Sequence, residues 1–286
     1  MKKILFILCL FTFQQISAQT SGKVLESLSF LSKTLKKEAK YSIYLPPDYD
    51  KNQRNYPVVY LLHGYTGNET DWIQQGEAPT LIDRAITAGT IPPMIVIMPD
   101  GQNSWYVNSP ITNWNYEDFF IKEFIPRMDS MYRTRAKKDS RALAGLSMGG
   151  NGSFMYAMKY PDIFGSCAVL SGAFFSDNSF QDRSDATARF FEPVYGKEPN
   201  KTEAWKIDNP FYFLKKENIN AYNSVKIYFD CGDDDFVTPG QLELDLLLRK
   251  LKINHELRIR EGVHNWRFWR EGLIPALQFC GDVFIH

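Results

Sequence analysis

Histidine and cysteine are scarce in this 286-residue chain, four of each, and that scarcity narrows its chemistry. Cys9 sits in the amino-terminal apolar stretch. This leaves Cys167, Cys231 and Cys280, an odd number too sparse for a disulfide framework. Cys167 and Cys231 fall in or beside strand-like runs, where buried small hydrophobes are expected. No Cys/His pair has zinc-ligand spacing, so no metal site is expected. An excess of charge is missing too: 33 Lys plus Arg balance 33 Asp plus Glu, which gives no reason to expect nucleic acid or an anionic membrane as partner. Repeats, low-complexity tracts and a clear linker are also absent. No apolar run is long enough to span a bilayer comfortably.

What is present begins with Lys2 and Lys3, the apolar stretch Ile4 to Phe13, and the small residues Ser17 and Ala18. That order is the pattern of a secretory signal peptide cleaved after Ala18. "FILC" lacks the small residue expected before a lipidated cysteine, so a lipoprotein is not expected. The sequence therefore predicts an exported protein, periplasmic or extracellular, of residues 19–286, with no stable membrane insertion after cleavage. With 44% hydrophobic and 15% aromatic residues, such a chain can bury a large core.

Apolar runs that end in Gly, Asp or Ser alternate with helical patterns. Strands are expected at Tyr41 to Pro46, Pro57 to Gly64, Met94 to Gly101, Arg141 to Ser147, Ser166 to Gly172, Val225 to Gly232 and His255 to Gly262. Helices are expected at Tyr116 to Met131, Met148 to Tyr160, Pro239 to Leu251 and Trp266 to Phe279. This alternation predicts an α/β fold, a mostly parallel central sheet with helices on both faces, in a single domain. Residues 174–213 are aromatic, Pro-containing and weakly periodic, and read as an insertion over one edge of the sheet.

"RALAGLSMGG" puts Ser147 where a strand gives way to a helix, between Gly145 and Gly149. A turn that sharp brings the two backbones too close for side chains, so G-x-S-x-G in this setting reads as a nucleophile elbow. A serine hydroxyl needs a base. Of the histidines His63, His255, His264 and His286, only His264 follows Ser147 on a late loop before a helix, which suits the chain order Ser, acid, His. The acid belongs on the loop after Val225 to Gly232, where Asp230, Asp233, Asp234 and Asp235 all qualify.

"YLLHGYTGNETDW", "MPDGQNSWYVNS", "RALAGLSMGG", "CGDDDF" and "GVHNWRFW" occur in this order from Tyr60 to Trp269. Together they resemble the α/β-hydrolase family that includes bacterial feruloyl esterases, S-formylglutathione hydrolase (esterase D) and siderophore trilactone esterases. The resemblance implies Ser147 as nucleophile, His264 as base and Asp235 as acid, the last residue of C-G-x-x-D. It also implies an oxyanion hole from the backbone N–H groups of Tyr65 and Met148, with His63 shaping that loop. Trp72, Trp105 and Tyr106 fall in segments that reach the same strand ends, where they could wall a pocket for an aromatic or sugar group.

The expected activity is hydrolysis of carboxylic esters without cofactor or metal. The expected partner is an ester substrate, an acylated plant-cell-wall polysaccharide or oligosaccharide such as feruloylated xylan. Acetyl, short-chain, lipid or siderophore esters, acyl transfer to an alcohol, and a non-catalytic carbohydrate-binding homologue are the alternatives.

Overall fold

The interior apolar runs become strands because their successive side chains find a core on both sides. The computed structural model describes residues 21–182 and 184–284; the expected leader with Cys9, and His286, lie outside them. Eight strands form one sheet: β1 (Lys23–Leu31), β2 (Glu38–Leu45), β3 (Val58–Leu62), β4 (Ile95–Pro99), β5 (Arg141–Leu146), β6 (Ser166–Leu170), β7 (Lys226–Gly232) and β8 (Glu256–Arg260). Their order is β1-β2-β4-β3-β5-β6-β7-β8. All neighbours from β4 to β8 are parallel, and β2 runs antiparallel to both β1 and β4.

The period of two sorts the strand residues into two cores. Tyr60 and Leu62 of β3, Cys167 and Val169 of β6, and Phe229 and Cys231 of β7 face one core. Val59 and Leu61, Ala168 and Leu170, and Tyr228 face the other. Five helices matter to the site's surroundings: α1 (Ala78–Thr87), α2 (Met148–Lys159), α3 (Ser184–Tyr195), α4 (Thr238–Leu251) and α5 (Trp266–Phe284). The first core is covered by α2, α4 and the helical stretch 116–131, the second by α1 and α5. In the stretch 116–131 a π-helical turn, Phe120–Phe124, precedes Pro126, which has no N–H to continue the regular ladder. Cys167, Cys231 and Cys280 are free and buried, and burial pushes the thiols of Cys231 and Cys280 up to about 12. Among the described residues no helix is long and apolar enough to cross a membrane.

β1 and α1 are additions to the sequence expectation, as are the short helices Asp71–Gln74 and Ile219–Tyr222. The segment 174–213 differs by position. It leaves the sheet after β6, an interior strand, and folds into α3 and shorter helices. Rather than covering an edge, it packs near the strand ends. The Trp105 indole N–H donates to the Phe190 carbonyl at 2.8 Å, and the Ser109 hydroxyl donates to the Val194 carbonyl at 2.7 Å.

Candidate functional site

The turn at Ser147 is as tight as its sequence demands. Ser147 has φ 53° and ψ −118°, a conformation L-residues rarely adopt and one that surrounding contacts must hold in place. Its N–H donates to the Leu170 carbonyl at 2.9 Å, and its own carbonyl accepts from Ala173 and Asn151. A Cβ at Gly149 would stand 2.5 Å from the carbonyl oxygens of Leu62 and His63, and one at Gly145 would stand 2.4 Å from that of Gly149. The serine hydroxyl is thereby fixed at the carboxyl end of β5 and the first turn of α2.

His264 lies on the loop between β8 and α5, with Asp235 on the loop after β7. His264 Nε2 is 2.9 Å from Ser147 Oγ. Both Asp235 carboxylate oxygens are 2.9 Å from His264 Nδ1. An ionised carboxylate can only accept, so the ring's proton belongs on Nδ1, and Nε2 accepts from the serine. Asp235 is buried and is held by the Val237 N–H at 3.1 Å.

The other three acids have different employment. Asp230 accepts the Arg260 Nε–H at 2.9 Å, and burial, with Arg260 opposing, raises its carboxyl. Asp233 accepts the Gly262 N–H at 2.9 Å, which ties the acid loop to the histidine loop, and Asp234 is exposed. His255 Nε2 lies 2.8 Å from Asp245 Oδ1, where the carboxylate accepts, and His255 stands just before β8 and not on the loop with His264. His63 is enclosed: its Nδ1–H donates to the Gly64 carbonyl at 2.7 Å, and Gly101 N–H donates to its Nε2 at 2.8 Å. It braces the loop carrying Tyr65.

A cavity of about 610 Å³ opens over Ser147 and His264. Gly64 and Tyr65 line it beside the serine. Met148 is the first residue of α2, so its N–H has no carbonyl one turn back to bond. Of the three expected wall aromatics, Trp105 lines the cavity. Trp72 and Tyr106 do not, and the reason is that their polar atoms are bound to main chain behind it. The Trp72 indole donates to the Leu62 carbonyl at 3.0 Å, and the Tyr106 hydroxyl to the His63 carbonyl at 3.0 Å. Trp72 instead backs a lining residue, meeting Trp266 edge-on at 5.4 Å.

Walls that the sequence reading missed are Phe175, Phe190, Phe236, Trp266 and Trp269. Trp266 and Trp269 carried a signal, the three-residue spacing at the start of a helix just after His264. Phe175 and Phe190 carried little, since their segment is only weakly periodic. Asp71 is a further lining residue, half-buried, and burial raises its carboxyl while His63 opposes.

A family model described as "Putative esterase" matches residues 32–280. The chain is 28% identical over 268 residues to an acetyl esterase of Caldicellulosiruptor saccharolyticus, which covers 90% of this chain and 97% of that protein. It is 36% identical over 165 residues to an endo-1,4-beta-xylanase/feruloyl esterase of Xylanibacter ruminicola, a match that takes in 55% of this chain and 23% of that longer protein. Among solved structures, a ferulic acid esterase superposes with a TM-score of 0.78 at 28% identity, over 93% of this chain and 100% of that one.

Proposed function

The chain belongs to the esterase family of α/β-hydrolases and is a carboxylic ester hydrolase, and from that premise we propose that Ser147, His264 and Asp235 carry its reaction as nucleophile, base and acid. The observation behind this reading is the unbroken line of hydrogen bonds from Ser147 Oγ through His264 to Asp235, each 2.9 Å. Neutral His264 takes the serine proton as Oγ attacks the ester carbonyl. The Asp235 carboxylate orients the ring and stabilises the imidazolium that forms. The N–H groups of Tyr65 and Met148 receive the developing oxyanion, each worth about 3 kcal/mol in the transition state. His264 then gives its proton to the departing alcohol. Water activated by the same ring releases the acid from Ser147.

The substrate is an acylated cell-wall carbohydrate, with ferulate on xylan as the type, and the protein meets it after export. Three observations support this: the leader pattern of residues 1–18, the feruloyl and acetyl esterases among the relatives, and the aromatic residues Trp105, Phe175 and Phe190 that line the cavity.

The test is direct. A fluorophosphonate probe labels wild type but not Ser147→Ala, and Ser147→Ala stays folded while turnover falls by at least about a thousandfold. Undiminished turnover in that variant defeats the mechanism. The substrate reading is tested by comparing methyl ferulate with acetylated xylan. A preference for the acetyl ester that Trp105→Ala does not alter removes ferulate and leaves the esterase.

A further inference from the structure

When the tetrahedral intermediate collapses, the bond from carbon to the alcohol oxygen breaks and His264 Nε2–H gives that oxygen its proton. The alcohol half of a substrate therefore departs along the rim of the His264 ring, whatever the acyl group. Two aromatic rings frame that rim. Phe236 lies 4.5 Å away between centroids, and Trp269 stands edge-on at 4.9 Å.

The two rings differ in what they are free to do. Trp269 is buried, and its indole N–H is given to Ser171 Oγ at 3.1 Å. Phe236 is 49% exposed, although it directly follows the buried Asp235 and lines the same cavity. Its side chain has no polar atom to engage and about half of the residue is in water, so a ligand that covered it would bury apolar area beside the His264 ring.

The surroundings of Phe236 select the chemistry of such a ligand. Its loop is joined to the histidine loop by the Asp234 N–H on the Gly262 carbonyl, 3.1 Å. Asp233, Asp234 and Glu261 are exposed along this joined rim, while the nearby Arg267 is shared with Glu271. The rim is thus net negative. It repels an anionic alcohol and offers acceptors to hydroxyl groups. An exposed apolar ring on a rim whose loops carry exposed acidic residues fits a neutral sugar, whose ring carries C–H bonds on its faces and hydroxyls at its edge.

We propose that Phe236 is the leaving-group platform of this enzyme: it stacks on the C–H face of the neutral sugar whose hydroxyl carries the ester, with Asp234 and Glu261 accepting from that sugar's free hydroxyls. The inference rests on the assignment of Ser147 and His264 above, and it makes Phe236 a specificity-determining residue on the alcohol side.

The experiment holds the acyl group constant and varies the alcohol. Methyl ferulate and a feruloylated arabinoxylan oligosaccharide are hydrolysed by wild type, Phe236→Ala and Phe236→Tyr, with melting temperature as the check on folding. Phe236→Ala slows both substrates somewhat, because the ring also packs on His264. The ratio of kcat/KM for the sugar ester to that for the methyl ester falls by about five- to tenfold, chiefly through a higher KM for the sugar ester. Phe236→Tyr restores the ratio. An unchanged ratio means the ring acts only on His264 and overturns the proposal, as does a ratio that rises in Phe236→Ala. A wild type that cleaves neither ester and escapes the fluorophosphonate probe defeats the serine-esterase reading instead, so the two failures are told apart.

Discussion

Two regions meet over Ser147, and they are held by opposite means. The elbow from β5 through Ser147 to α2 is fixed by backbone against backbone: Gly145 sits on the Gly149 carbonyl, and Gly149 on those of Leu62 and His63. The insertion, residues 174–213, approaches the scaffold main chain closely at Phe174, against Gly240, and beyond that is held mainly by side chains. Phe191 packs on Trp105 at 4.1 Å, and polar anchors reach across from the scaffold: Trp105 to Phe190, Ser109 to Val194, and Lys159 to Asp208. The first arrangement leaves Ser147 almost no positional freedom, which the proposed roles of Ser147, His264 and Asp235 require. The second depends more on individual side chains, so the cavity wall formed by Trp105, Phe175 and Phe190 can change shape while Ser147 stays where it is.

The comparison is sharpened most by separating rate from stability on the elbow side. Asp235→Asn keeps the packing but spoils the orientation of His264, and turnover is expected to fall by about a thousandfold or more. Asp233→Asn and Asp234→Asn, whose carboxylates face the loop or solvent, change turnover of a methyl ester little. A larger loss at Asp233 would move the acid to the wrong residue and break the assignment.

Next in size is Gly149→Ala, which forces a methyl group into the end of β3. Overpacking against main chain costs about 3 kcal/mol, or a fall of roughly 6–12 °C in Tm for a domain of this size, and turnover drops as Tyr65 shifts with His63. A Gly149→Ala variant that melts with wild type would mean that β3 and α2 can part, and the contrast between the two regions would not stand.

The same contrast explains what could be read in advance. Backbone-on-backbone contact demands glycine, and glycine at fixed offsets from a serine is visible in a sequence, so the elbow was legible. The interior strands were legible because both faces are buried and their runs are uninterrupted. β1 was not: it is an edge strand, mostly exposed, and an irregularity between Leu25 and Leu28 breaks its alternation.

The proposed acid was legible only by resemblance. Asp230 in β7 and Asp233, Asp234 and Asp235 just after it stand close together in sequence, and the partner that distinguishes them lies 29 residues beyond Asp235. Trp72 and Tyr106 show the reverse error, since nearness in sequence to a strand end does not say whether an aromatic faces the cavity or backs it. The insertion gave only a weak periodic signal, and its position depends on partners contributed by the loop after β4 and by the end of α2.

The smallest effect expected is at one of those partners, and its sign is fixed by charge. Lys159 Nζ lies 3.0 Å from Asp208 and also binds Glu117, while the Tyr195 hydroxyl donates to Asp208 at 3.1 Å. Two carboxyls thus share one ammonium in a buried site. Burial pushes the Asp208 carboxyl from 3.8 up to about 6, with Glu117 adding and Lys159 opposing. The folded protein therefore keeps a proton that the unfolded chain has released between those values. Stability from this group is full below 3.8 and is lost as pH rises through about 6.

Asp208→Asn removes the titration while keeping the shape. The Tm of wild type minus that of Asp208→Asn should accordingly be more favourable to wild type near pH 4 to 5 than at pH 7, by roughly 2–4 °C for each kcal/mol of linkage. Taking the difference cancels the acid sensitivity of every other group. Thermal melts across that range decide it. A difference that grows with pH would mean that folding favours the ionised Asp208 carboxylate, the contact with Lys159 outweighing the effect of burial.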